Sequence, residues 1–177
     1  MATGEDVDVD NLPGIKIQLK EIGKVVMDDV NDKVKESGKW PFVVDTVGQV
    51  STFLKYRDTN MINCLEKHDM QPETIRMALI GAMKFGKPFI LDFNEVDMFQ
   101  ACVDVFDEIQ KGLMDALLDK SIFKDEKYLS LVKDTDGADY DPMRGPYMVD
   151  NFKFVFLTTH SRPNEKLLAI TYPISII

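Results

Sequence analysis

The residues best placed to do chemistry lie in one stretch, Trp40-Pro41-Phe42-Val43-Val44-Asp45-Thr46-Val47-Gly48-Gln49-Val50-Ser51-Thr52-Phe53-Leu54-Lys55. A short apolar run, a turn with glycine and a helix-compatible run follow one another. That is the layout of a phosphate-binding loop. A working loop reads G-x-x-x-x-G-K-[ST]: its glycines free backbone N–H groups to cradle phosphates, its lysine neutralises them, and its hydroxyl holds magnesium. Aligned on Gly48, the first glycine position holds Val43, the lysine position Gln49 and the hydroxyl position Val50. Ser51 comes one residue late, and Asp45 adds negative charge where phosphate would sit. The layout is kept and the chemistry is not, so no bound cofactor is expected.

Other reactive residues are weaker candidates. Pro88-Phe89-Ile90-Leu91-Asp92 reads as an apolar strand ending in an acid, the placement of a magnesium-holding aspartate. The water-orienting glutamate that usually follows directly is three residues on, at Glu95. Thr158 and Thr159 end a further strand. Asp134-Thr135-Asp136-Gly137-Ala138-Asp139-Tyr140-Asp141 invites a calcium reading, but its sixth and twelfth positions hold Asp139 and Gly145, where an EF-hand needs Gly and Glu. An acidic surface loop is the better reading. Cys64 and His68 lie four apart, yet no oxyanion hole or acyl pocket is legible around them. Cys64 and Cys102 form no C-x-x-C, and with His68 and His160 they lack zinc-site spacing. The expectation is two reduced thiols, no metal and no catalytic residue. An unrelated small-molecule enzyme using Asp45, Asp92, Thr158 and His160 ranks last, because no constellation there names a reaction.

The elements that would position these residues fit one α/β domain. The chain has 177 residues, enough for a full core, and 45% hydrophobic content suits a soluble globular protein. A formal charge of −9 disfavours nucleic acid and anionic membrane surfaces. No apolar signal core and no membrane-length run is present, which points to the cytoplasm. Residues 1–14 read as a disordered acidic leader. Ile15, Leu19, Ile22, Val26, Val30 and Val34 recur at helical spacing, so 15–38 reads as an amphipathic helix and linker. From 39 to 177 the pattern alternates. Strands are expected at Phe42–Val44, Pro88–Phe93, Phe152–Leu157 and Ala169–Ile177. Helices are expected from Pro72 to Gly86 and, as one or two pieces, from Met98 to Leu118; a loop is expected over Asp134–Arg144. Strands alternating with helices imply a parallel sheet covered on both faces.

Three of these stretches carry a family resemblance. Trp40 to Asp45 with Gly48-Gln49, Phe85-Gly86-Lys87-Pro88-Phe89-Ile90-Leu91, and Phe152 to Thr159 resemble, in order, motifs of the fifth AAA+ module of dynein heavy chains. A closer resemblance is to the C-terminal domain of proteins that combine IQ motifs with ankyrin repeats, which also resembles the stretch Phe53 to Asn60. The resemblance implies a three-layer P-loop NTPase or AAA+-like large subdomain, mostly parallel, with strand order 5-1-4-3-2. It makes Asp45, Gly48, Gln49 and Ser51 a degenerate phosphate loop, Asp92 and Glu95 Walker B-like, and Thr158 and Thr159 sensor-one-like. Thr46 departs from the family's loop proline. Because the sequence stops at the last expected strand, the helical lid and its sensor-two arginine are expected to be absent. No IQ motif or ankyrin repeat is legible. The implied role is a catalytically inactive scaffold that binds protein partners, in a cytoskeletal or ciliary setting. The alternative is nucleotide binding without hydrolysis.

Overall fold

The computed structural model describes residues 8–177. Six parallel strands form one sheet, β1 (Ile15–Ile17), β2 (Pro41–Val44), β3 (Asn60–Asn63), β4 (Pro88–Asp92), β5 (Lys153–Thr158) and β6 (Tyr172–Ile176), in the order β1-β6-β2-β5-β4-β3. The helices are α1 (Lys33–Ser37), α2 (Val50–Lys55), α3 (Pro72–Phe85), α4 (Phe99–Ile109), α5 (Leu113–Leu118) and α6 (Glu165–Ile170).

The central strands β2, β4 and β5 are apolar on both faces, as a sheet covered on two sides requires. Alternation sends the two faces of each strand to different cores. Phe42, Phe89, Leu91, Phe154 and Phe156 join one cluster with α3, α4, α5 and α6, while Val43, Ile90, Val155 and Leu157 join another with Val50 and Leu54 of α2. The buried aromatic side chains all lie in the first core, and the buried members of the second are aliphatic. α3 starts with Pro72 in its first turn and stops at Gly86, which takes φ 68 and donates its N–H to Ala82 O. The expected helix from Met98 to Leu118 is two helices, separated by an extended Gln110 and by Gly112 at φ 77.

The strand order differs from the five-strand expectation because β1 has been added outside β6. The amphipathic helix expected within 15–38 does not form as one piece. Ile15, Lys16 and Ile17 pair with Ile174, Ser175 and Ile176 instead, and Ser175 Oγ donates to Pro13 O at 2.6 Å. The free edge of β6 offers a row of unpaired backbone groups, and a segment after Pro13-Gly14 completes it. After β1 the chain makes a 3-10 turn (Leu19–Glu21), a π-helical turn (Gly23–Met27) and then α1, so helical spacing persists without one continuous helix. Ile17, Ile22, Val26 and Val34 are buried in the aliphatic core, so 15–38 is part of the sheet's cover rather than a linker.

Of the leader expected over 1–14, residues 1–7 lie outside the described residues. Val9–Asn11 makes a single 3-10 turn capped by Asp8. The Asp134–Arg144 loop is three short 3-10 turns, and residues 165–170 form α6 where a strand was expected to begin at Ala169. Among the described residues no helix is long and apolar enough to cross a membrane.

Candidate functional site at the carboxyl edge of the sheet

The tips of β2, β4 and β5 lie side by side, so the residues that end these strands must meet. Val44 is in register with Thr158, and Asp92 with Leu157. The hydrogen-bond ladder continues past the strands: Asp45 N–H donates to Thr158 O at 2.8 Å, Phe93 N–H to Leu157 O at 2.8 Å and Thr159 N–H to Asn94 O at 2.9 Å.

Asp45 is buried, at 1% exposure. Its Oδ2 accepts the Val50 N–H at 2.7 Å and its Oδ1 the Val47 N–H at 3.2 Å. Gly48 N–H donates to Asp45 O at 3.2 Å, with Gly48 at φ 85, a conformation that favours glycine. The turn thus closes around its own carboxylate. These are N–H groups of the kind that hold a phosphate in a working loop. Here an internal anion takes them. Gln49 is exposed.

Asp92 is buried beside this loop. Its Oδ2 accepts from Ser51 Oγ at 2.9 Å and its Oδ1 from Asn94 N–H at 3.0 Å. Burial raises its pKa, against the lowering effect of those two bonds. Ser51 is therefore placed against Asp92 although it comes one residue late in the sequence pattern. Glu95 is not gathered in: Asn94 turns the chain at φ 57, and Glu95 is exposed. Asn94 Nδ2 donates to Asn63 Oδ1 at 2.8 Å, tying the end of β3 to the same corner.

Thr158 is buried, and its Oγ1 donates to Asn94 O at 3.2 Å while accepting the His160 N–H at 3.1 Å. Thr159 borders the loop, since a Cβ built on Gly48 would lie 3.9 Å from its methyl group. His160 is exposed, and its Nδ1 accepts the Arg162 N–H at 2.9 Å. Each of the buried polar side chains in this corner is spent on holding the corner together. Among the described residues, no buried side-chain nitrogen or oxygen lacks a hydrogen-bond partner, and no three His, Cys, Asp or Glu side chains are grouped so as to hold a metal.

Two arrangements were not legible in the sequence. Arg76 is 4% exposed on α3 and grips Asp136 through two bonds, Nη1 to Oδ2 at 2.7 Å and Nη2 to Oδ1 at 2.6 Å. Its Nη1 also donates to Leu131 O at 2.9 Å, and its Nε to Glu73 Oε2 at 2.9 Å. The segment read as an acidic surface loop therefore sends one acid inward. The only sequence signal is a cation at position 76, between Ile75 and Leu79 on the apolar face of α3. Cys64, next to β3, lies with its Sγ 3.6 Å from Cys102 Sγ of α4, and both thiols are buried. The Cys102 thiol and burial push the Cys64 thiol up, so its thiolate is disfavoured. His68, four residues along, is exposed.

No family model matches the sequence.

Proposed function

We propose that this chain is a nucleotide-type α/β module without hydrolytic chemistry, working as a structural unit that binds protein partners. The observation that carries this is the Asp45 carboxylate, seated on the Val47 and Val50 N–H groups. A phosphate arriving there meets a buried anion, with Gln49 in place of the neutralising lysine. Binding would have to displace a charge-assisted hydrogen-bonded group and then tolerate its repulsion. The kinship to AAA+ modules of dyneins and of IQ-and-ankyrin proteins draws support from topology. Counted among themselves, the five strands other than β1 run 5-1-4-3-2. That kinship directs the search for partners toward proteins of the cytoskeleton and cilium; fold likeness alone assigns no partner. The charge of −9 turns the search away from nucleic acid and anionic membrane.

One observation favours the second reading, nucleotide binding without hydrolysis. Ser51 Oγ and Asp92 Oδ2, 2.9 Å apart, are a hydroxyl and carboxylate of the types that share magnesium in working sites. A thermal-shift titration with ATP, ADP and Mg2+ separates the two. The expected result is no shift up to millimolar ligand. A magnesium-dependent rise of several degrees, abolished by Gly48→Asp, would overturn the scaffold reading in favour of a nucleotide-gated one.

A further inference from the structure

A groove of about 450 Å3 opens at the opposite, amino-terminal end of the sheet, where β2 and β5 begin. Its volume falls within the range of small-molecule sites. Trp40, Phe123 and Phe152 give it an aromatic lining, with Trp40 set edge-on to Phe123 at 6.2 Å and to Phe152 at 5.9 Å between ring centroids. The Trp40 indole N–H donates to Leu117 O at 2.7 Å, which fixes the ring in place.

Lys120 reaches into this groove and lies with its Nζ 4.2 Å from the Trp40 ring centroid. Its backbone takes φ 63 and ψ 10, a left-handed conformation that glycine or asparagine fills at lower cost. The ammonium is partly buried, and burial together with the charge of Lys35 lowers its pKa. Over the Trp40 ring the ammonium makes a cation–π contact, and among the described residues it has no carboxylate partner.

The charges around it are arranged unevenly. Lys153 is also half-buried in the lining, while Lys35 and Lys39 are exposed at the rim. Of the lining acids, Asp28, Asp32 and Asp150 are exposed, and Asp29 is occupied, its two oxygens accepting the Val34 and Lys35 N–H groups at 3.0 and 2.9 Å. Among the described residues, the salt bridges involve Arg76, Lys87 and Lys133, and none involves a lysine of this groove. The interior of the groove thus offers ammonium groups on an aromatic wall, with no carboxylate bound to them.

We infer that this groove binds a flat organic anion, an aromatic carboxylate in chemical class, with its carboxylate on Lys120 and its apolar body against Trp40, Phe123 and Phe152. The site is separate from the carboxyl-edge corner and does not depend on how that corner is read. Trp40 is the chain's one tryptophan, so its indole N–H gives a single reporter resonance in a 1H–15N NMR spectrum. The full chain is titrated with 1-naphthoate and, in parallel, with the neutral 1-naphthalenemethanol. The expected result is a saturable shift of the indole resonance, with naphthoate binding at least tenfold tighter than the alcohol. Lys120→Gly removes the ammonium while relieving the left-handed strain, so the fold is retained. Its melting temperature should stay level or rise, and its naphthoate affinity should fall to that of the alcohol. The inference is overturned if naphthoate produces no saturable shift at millimolar concentration, if the two probes bind alike, or if the glycine variant keeps the naphthoate preference.

Discussion

Asp45 and Asp136 are both acids drawn inward, one by backbone N–H groups and the other by a guanidinium, and each locks a loop to the sheet or its cover. The Asp136 pair has a pH signature. The Arg76 guanidinium holds the Asp136 carboxyl down at about 2, below the unfolded value of about 3.9. Because the folded pKa is the lower one, the stabilisation is fully present above pH ~4 and is lost as pH falls from there toward 2. Asp136→Asn leaves the buried guanidinium with the largely exposed Glu73 as its remaining charge partner, so it should cost about 2 kcal/mol at pH 7. Urea denaturation at pH 7 and at pH 2.5 checks both parts: the difference between wild type and variant should shrink at the lower pH, and an equal gap at both would remove the pair as its cause. The carboxyl-edge residues were legible because each of Asp45, Asp92 and Thr158 ends a recognisable apolar strand, and parallel strands bring their tips together. Glu95 escaped that logic through the left-handed Asn94. The Arg76–Asp136 bond spans 60 residues of chain, and periodicity reports which face a residue occupies, never its partner.

Elements became legible in proportion to their apolar content. β2, β4 and β5, with four to six residues each and nearly all buried, stand out as apolar runs. β3 reads Asn-Met-Ile-Asn with one buried residue, as suits a strand paired on one side only, and it is lost among loop residues. β1 has three residues, too few for an alternation to show, and the helical spacing that continues beyond it hides it. What fixes β1 is a close approach just before it. A Cβ on Gly14 would come 1.9 Å from Pro173 O, and Gly14 sits at φ 72. Gly14→Ala must therefore push the edge strand off β6, at a cost of about 2 kcal/mol, in the range for local backbone strain. Amide exchange reads this directly. The Ile177 N–H, which donates to Ile17 O at 2.9 Å, should exchange faster in the variant, while amides of β4 keep their protection. Unchanged exchange at Ile177 would mean that β1 is held by its side chains and not by the approach at Gly14.

At the scale of the molecule, one face of the sheet is roofed by helices that come after β3, and the other by α2 together with the segment before β2. Ile17 of β1 extends that face, and Ile22, Val26 and Val34 join α2 in roofing it over Val43, Val155, Leu157 and Ile174. Burying four such side chains is worth roughly 6–12 kcal/mol at ~1.5–3 kcal/mol each. That is comparable with the whole stability of a typical domain, about 5–15 kcal/mol. A chain reduced to residues 39–177 should therefore lose its cooperative melt and bind a hydrophobic dye such as anilinonaphthalene sulfonate, even though it retains five of the six strands. Circular dichroism should still show α/β secondary structure, since the aromatic core with α3, α4 and α5 is untouched. The same deletion removes Val26, Asp28 and Lys35 from the wall of the amino-end groove, so the structural roof and the groove stand or fall together. A sharp melt of 39–177 at the full-length temperature would show instead that this first segment is an appendage, and that α2 alone protects the aliphatic face.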